Sequence, residues 1–214
     1  MASSKTKTYS ALEEKINVYS HGLGFIIASI GLIFLLILTL PRGDWSQILS
    51  FGVFGLSMMI LFAASTLYHR ATDPVKRSRL RILDHASIYV LIAGTYTPFC
   101  LVTLPDRLGL IFFTVVWGFA LVGICIKLFF TGRFSVFSTL MYLFMGWMMV
   151  FMIKPLYQNI APEGLYWIFA GGLAYTIGAV LYSIKRIPFN HASFHILVLV
   201  GSFCHYMAIY LYVV

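Results

Sequence analysis

An all-α membrane protein, a seven-transmembrane helix bundle, is the fold that three observations predict. Hydrophobic residues form 60% of the 214-residue chain and charged residues only 10%, whereas a soluble domain carries about 25% charged residues. The charges sit in short breaks between long apolar runs, and Lys and Arg crowd into alternate breaks. A net charge of +8 on a soluble protein would suggest nucleic acid or another acidic partner. Confinement to those breaks removes that reading. A disordered chain is excluded as well, because disorder requires low hydrophobicity.

Each span follows from its length. A helix needs about 20 mostly apolar residues to cross the hydrocarbon core. The charge-free stretches are Ile16–Pro41, Trp45–His69, His85–Pro105, Leu108–Ile126, Phe134–Ile153, Gly164–Ile184 and Ile187–Val214. Each suffices for one crossing and none for two. Membrane β-strands would alternate polar and apolar residues over segments of about 10, and the run IIASIGLIFLLILTL does not. Residues 1–214 therefore read as one domain, with 1–15 a short polar N-terminal segment. That segment includes Glu13 and Glu14 and no small-residue cleavage site follows the apolar run after it, so no cleavable signal peptide is expected. The longest polar connection expected is Arg70 to Asp84, too short for a soluble domain.

Basic residues set the expected orientation. With the N-terminus cytoplasmic, that side holds Lys5, Lys7, Lys15, Arg70, Lys76, Arg77, Arg79, Arg81, Lys127, Arg133, Lys185 and Arg186. The other side holds Arg42, Arg107 and Lys154. The positive-inside bias puts the N-terminus inside and the C-terminus outside. Cys100, Cys125 and Cys204 all fall within spans and read as small buried residues, not a disulfide framework.

Ionisable residues at membrane depth are rare and point to function. Ser65 and His69 close the second span, Asp84 and His85 open the third, and His191 and His195 open the seventh. All lie at the end predicted to be cytoplasmic, as does His21. At about 100° per residue, His191 and His195 project from one helix face, a ready bidentate metal site. His69 could supply a third nitrogen. Three histidines with an open fourth position is the arrangement of a catalytic zinc, although copper, iron and nickel also accept imidazole. Asp84 could hold the metal-bound water, with Ser65 supporting it from one turn before His69. The plain alternative is that helix-end histidines face head groups, cap a terminus or bond a neighbouring helix. Ala192 follows His191, so the H-E-x-x-H protease motif is missing.

Other residues carry expectations of their own. His205 lies about 15 Å beyond His195 at 1.5 Å per residue, too far to share an ion, and a buried hydrogen bond to another helix is expected for it. His85 points about 100° from Asp84 and is not expected to be a co-ligand. Glu13, Asn17 and His21 repeat every four residues as a polar stripe, either packing or lining the mouth of the site. Gly-rich segments, including GLGF, GGLAYTIG and GWMM, fit close helix contacts, and GTYTP adds a kink. Trp45, Tyr68 and Tyr157 read as interface anchors.

Together the motifs EExxNxxSHGxG (from Glu13), SxxYH (from Ser65), LDHxxIYxLIAGTYTP (from Leu83), GW (Gly146, Trp147) and KRIPxNHxxxHxxVLxGSxxH (from Lys185) resemble the bacterial haemolysin III family. That family sits within the progestin and adipoQ receptor group, and the resemblance runs from about Glu13 to Val214. It implies seven helices, a cytoplasmic N-terminus, the inner membrane of a bacterial cell and a zinc site near the cytoplasmic face. By motif, the zinc ligands become His69, His191 and His195, and Asp84 takes the position that contacts the zinc-bound water. Relatives of the group resemble ceramidases and other membrane hydrolases, while the bacterial branch is named for haemolysis and linked to membrane-energy homeostasis.

Three functions compete at this point. A Zn2+-dependent hydrolase would cleave a lipid amide or ester, with Asp84 and Ser65 as its catalytic residues. A pore-forming haemolysin would need polar residues along a whole lumen, whereas here they gather at one end. A membrane-state sensor would use zinc structurally, which favours four protein ligands. The expected partners are membrane lipids, with neither nucleic acid nor a soluble protein indicated.

Overall fold

A computed structural model describes residues 9–130 and 135–214. Lys5, Lys7 and Arg133 of the charge count lie outside them. The described residues are almost entirely helical, with no strand, and hold seven helical spans long and apolar enough to cross a membrane. The order is α1 (Ala11–Thr39), α2 (Trp45–Arg70), α3 (Pro74–Pro98), α4 (Asp106–Phe130), α5 (Ser135–Trp147), α6 (Ile153–Asn159), α7 (Pro162–Ser183) and α8 (Asn190–Tyr212). A 3-10 segment, Met148–Met152, joins α5 to α6 as one span, Val136–Asn159.

Local chemistry explains the boundaries. Ser10 caps α1 by accepting from Glu13 N at 3.1 Å, and Asp44 caps α2 through Ser46 N at 2.9 Å. Gly43 adopts φ +69° in the tight turn between them, a conformation that glycine takes without penalty. Asp73 accepts from Lys76 N at 2.7 Å and Pro74 follows at the first helical position, so α3 starts ten residues before Asp84. The expected Arg70–Asp84 connection is therefore mostly helix, and the break is only Ala71–Asp73. Two of the charges counted for the cytoplasmic side change character. Arg81 is buried within α3, and Lys127, 3% exposed, is buried near the end of α4.

Helices pack in sequence, α1 on α2, α2 on α3, α3 on α4 and α7 on α8, with α1 against α8 closing the bundle. Small residues allow close approach where expected in two segments. A Cβ on Gly24 would meet Leu199 and Phe62, and one on Gly178 would meet Leu197 and Phe194 within 3.2 Å. Gly146 corrects the third expectation, because a Cβ there would meet nothing within 4 Å. Here the helix loosens instead. Tyr96 Oη donates to the Met145 and Gly146 carbonyls at 2.8 and 2.9 Å and accepts from Met149 N at 2.9 Å. In a bilayer every backbone group needs such a partner, so Tyr96 permits the irregular turn. GTYTP ends α3 at Pro98, and a π-helical turn, Phe99–Thr103, follows. Trp45 and Tyr157 are 70% and 66% exposed, as interface anchors should be. Tyr68 is not one: it is buried, with the Arg77 guanidinium 4.8 Å above its ring.

Between α3, α5, α7 and α8 lies a cavity whose empty volume, mouth included, is about 1500 Å³. His21, Asp84, His85, His191 and His195 line one end. Apolar side chains such as Leu91, Ile92, Met149 and Val198 line its length, with His205 deep among them. Lining along α8 runs from His191 to His205, about 21 Å at 1.5 Å per residue.

Candidate metal centre

His69 ends α2, while His191 and His195 occupy the first two turns of α8, so antiparallel packing puts them at one end of the bundle. The start of α8 is held firmly. Phe189 takes a left-handed φ of 54°, and Asn190 Nδ2 donates to the Tyr182 carbonyl at 2.9 Å, joining the end of α7 to the start of α8. A bulky residue in that conformation is strained, and the tie explains how it persists.

The three imidazoles converge. His69 Nε2 and His191 Nε2 are 3.0 Å apart, and His191 Nε2 and His195 Nε2 are 3.1 Å apart. One ligand atom from each of the three falls within 4.8 Å of the others, and all three rings are buried. Tetrahedral bonds of about 2.05 Å would separate neighbouring ligand nitrogens by roughly 3.3 Å, close to the spacing observed. The donor set fits a metal ion.

Protonation supports the same fit. Glu14 Oε2 lies 2.7 Å from His69 Nδ1 and accepts its proton, which leaves the Nε2 lone pair turned toward the other two histidines. Arg77 donates to the other oxygen of Glu14 and fixes that carboxylate. A carboxylate behind a ligating histidine sets its tautomer and strengthens it as a ligand. Asn17 Nδ2 also stands 3.4 Å from His69 Nδ1.

Aromatic rings enclose the cluster. Tyr9 stacks on His191 at 4.6 Å and 12°, and His21 stacks on His195 at 3.7 Å and 5°. Tyr182 packs against His191 at 5.3 Å. Tyr9 lies outside the spans, and burial pushes its hydroxyl well above the ordinary tyrosine range, so it covers the site as a neutral group. The Glu13, Asn17, His21 stripe is wholly buried, and His21 both packs on a candidate ligand and lines the cavity.

Asp84 is buried at the head of the cavity, close enough to interact with His69, yet outside the three-histidine group. That position suits contact through water rather than direct ligation. The Ser65 hydroxyl faces Asp84 but completes no hydrogen bond among the described residues. His85 stays outside the ligand group, but its Nδ1 lies 3.5 Å from Asp84 Oδ2 while donating to the Arg81 carbonyl at 2.8 Å. His205 departs from expectation: it stacks on Tyr175, and its Nδ1 has no hydrogen-bond partner among the described residues.

Glu14, Arg77, Tyr9 and Tyr182 were not singled out from sequence. Glu14 had one available signal. It sits one position from the Glu13 stripe, at the same end as His69, and histidine ligands commonly lean on a carboxylate.

Comparison with known proteins adds an independent finding. A family model described as haemolysin-III related matches residues 9–206. A hemolysin-3 homolog of Bacillus subtilis (strain 168) is 42% identical over 206 residues, covering 96% of this chain and 97% of that protein. Hemolysin-3 of Bacillus cereus is 42% identical over 201 residues, covering 94% and 92%. The human monocyte to macrophage differentiation factor is 27% identical over 208 residues, covering 94% and 84%.

Proposed function

The chain belongs to the haemolysin III-related family, and from that premise we propose that it is a zinc-dependent hydrolase of acyl lipids, with its metal centre at the cytoplasmic face of a bacterial inner membrane. The observation that carries this reading is the convergence of three buried imidazole nitrogens at the head of a long apolar cavity that also presents a carboxylate.

His69, His191 and His195 would hold the ion, with Glu14 orienting His69. Zinc bound there supplies a Lewis acid and a water of pKa near 7. Asp84 accepts a proton at its carboxylate and returns it to the leaving amine or alcohol, the ordinary cycle of a general base and acid. Ser65 donates from Oγ toward the Asp84 side of the site, where its hydroxyl is otherwise uncommitted. The apolar cavity receives the acyl chain and keeps water from it. Exposed Lys15, Arg70, Lys76, Arg79, Lys185 and Arg186 share the end that carries the cluster, and Arg42, Arg107 and Lys154 share the other. That asymmetry supports the cytoplasmic assignment. Single cysteines at Thr72 and Asn159 should react with an impermeant thiol reagent from opposite sides of the membrane, and labelling from one side would refute the orientation.

The name of the Bacillus cereus relative, hemolysin-3, suggests membrane lysis as the rival reading. Purified protein in liposomes separates the two. Cleavage of ceramide-like or other acyl lipids, lost on Asp84→Asn with zinc retained, supports the hydrolase. Dye release without cleavage, indifferent to Asp84→Asn, supports a pore. With neither activity, the centre becomes a structural clasp between α2 and α8.

A further inference from the structure

Chemistry at the metal centre leaves the deep part of the cavity unused, and a polar residue stands there. His205 is 7% exposed and belongs to the cavity lining. Its ring stacks on Tyr175 with centroids 5.6 Å apart and planes at 17°. Gly171 makes room for it, since a Cβ at that position would fall 2.7 Å from His205 Nε2. The Tyr175 hydroxyl does not serve the imidazole, because it pairs with Ser202 Oγ at 2.9 Å. Nδ1 of His205 is fully buried and has no partner among the described residues, so no ligand reaches it. Nε2 is equally unbonded there but not fully buried, and it is the nitrogen that a molecule in the cavity can meet.

A neutral imidazole always presents one N–H and one lone pair. Leaving such a group unmatched among apolar helices is costly, and leucine would fill the position without that cost. The ring therefore stands ready for a polar atom that the chain itself does not supply. His205 is ten residues from His195 on nearly the same face of α8, about 15 Å away. Leu91, Ile92, Met149 and Val198 line the space between. A matching ligand is linear, polar at both ends and apolar in the middle.

We propose that His205 recognises a hydroxyl or oxo group near the far end of an acyl chain whose carbonyl lies at the three-histidine centre. This rests on the acyl-lipid reading of that centre, and it names the substrate class as acyl chains oxygenated away from the carbonyl. Water held by His205 is the competing occupant, and it would give no preference between chains.

The test measures equilibrium binding of dodecanoate and ω-hydroxydodecanoate to the zinc-loaded full chain in detergent. The wild type should favour the hydroxylated acid by about three- to tenfold, the range of one net hydrogen bond. His205→Leu should abolish that preference while keeping zinc, and His205→Gln, which retains a donor and an acceptor, should preserve it. Equal affinities in the wild type, or a preference that survives His205→Leu, would overturn the proposal. Removing zinc should weaken both acids alike. Absence of that loss would count against the acyl-lipid reading, whereas the wild type and His205→Leu comparison speaks only to His205.

Discussion

His191 and His195 at one end of α8 and His205 towards the other share a residue type and nearly one helix face, yet their surroundings differ in kind. At the first end, neighbouring elements supply His69, a stacked His21, a stacked Tyr9 and Tyr182. Glu14 fixes His69 from behind. At the deep end Tyr175 stacks on one face of the ring, Gly171 lies against its Cδ2–Nε2 edge, and the small part left exposed belongs to the cavity lining. Helical spacing determines which side chains share a face. What a histidine does is decided by the other helices that come to meet it: α1 and α2 bring His21 and His69 to the first pair, whereas α7 brings Tyr175 and Gly171 to His205.

The sharpest way to break this contrast is to remove ligands. Purified chain should hold about one zinc per molecule, and His191→Ala or His195→Ala should lose it, because two remaining protein ligands fall short of a stable site. His205→Ala should keep it. Elemental analysis of the purified variants decides, and stoichiometric zinc in the double variant His191→Ala, His195→Ala would erase the distinction between the two ends.

Asp84 tests whether the first end is chemically active or only a clasp. Asp84→Asn keeps the shape and removes the base, so acyl-lipid turnover should fall by about 10²- to 10⁴-fold. Zinc content should hold, since Asp84 lies outside the histidine group. Loss of zinc together with activity would instead make Asp84 a ligand.

Much of this was legible in the sequence, for identifiable reasons. Span number follows from charge-free length, the pairing of His191 with His195 follows from a four-residue spacing, and the resemblance to the haemolysin III family added His69 to the cluster that the structure brings together. The failures arise where a charge or ring is placed by a neighbour rather than by its own helix. Lys127 and Arg81 read as loop cations because charge marks span ends, but α4 and α3 extend through them and bury both. Tyr68 read as an interface anchor by position, and the Arg77 guanidinium lies over its ring instead. Gly146 read as a contact glycine, although Tyr96 uses the adjacent carbonyls to hold an irregular turn. Glu14 is the costliest omission, because its contact with His69 spans 55 residues of sequence.

Glu14 therefore supplies a finer test. Glu14→Gln retains size but weakens both the hold on His69 and the pairing with Arg77. Metal affinity should drop by about 10- to 100-fold, the usual effect of altering a group behind a ligand. Competition with a chelator of known affinity measures it. Unchanged affinity would show that aromatic packing alone positions His69.

The smallest effect belongs to the deep end and runs in the opposite direction. Substituting either metal-centre histidine of α8 should destabilise the zinc-loaded protein, because bound metal stabilises the fold by mass action. His205→Leu should raise stability without ligand. The change removes a buried polar ring whose Nδ1 has no partner among the described residues, and desolvating such a group costs about 1–3 kcal/mol. Against that stands the stack on Tyr175, of a kind worth about 0.5–1.5 kcal/mol. The balance favours leucine by about 1 kcal/mol, a shift of roughly 2–4 °C for a domain of this size. Thermal unfolding of both proteins in the same detergent, zinc-loaded and lipid-free, measures the difference. A clear fall in melting temperature would mean that the imidazole is already satisfied within the bundle, and the two ends of α8 would then differ in ligand rather than in completeness.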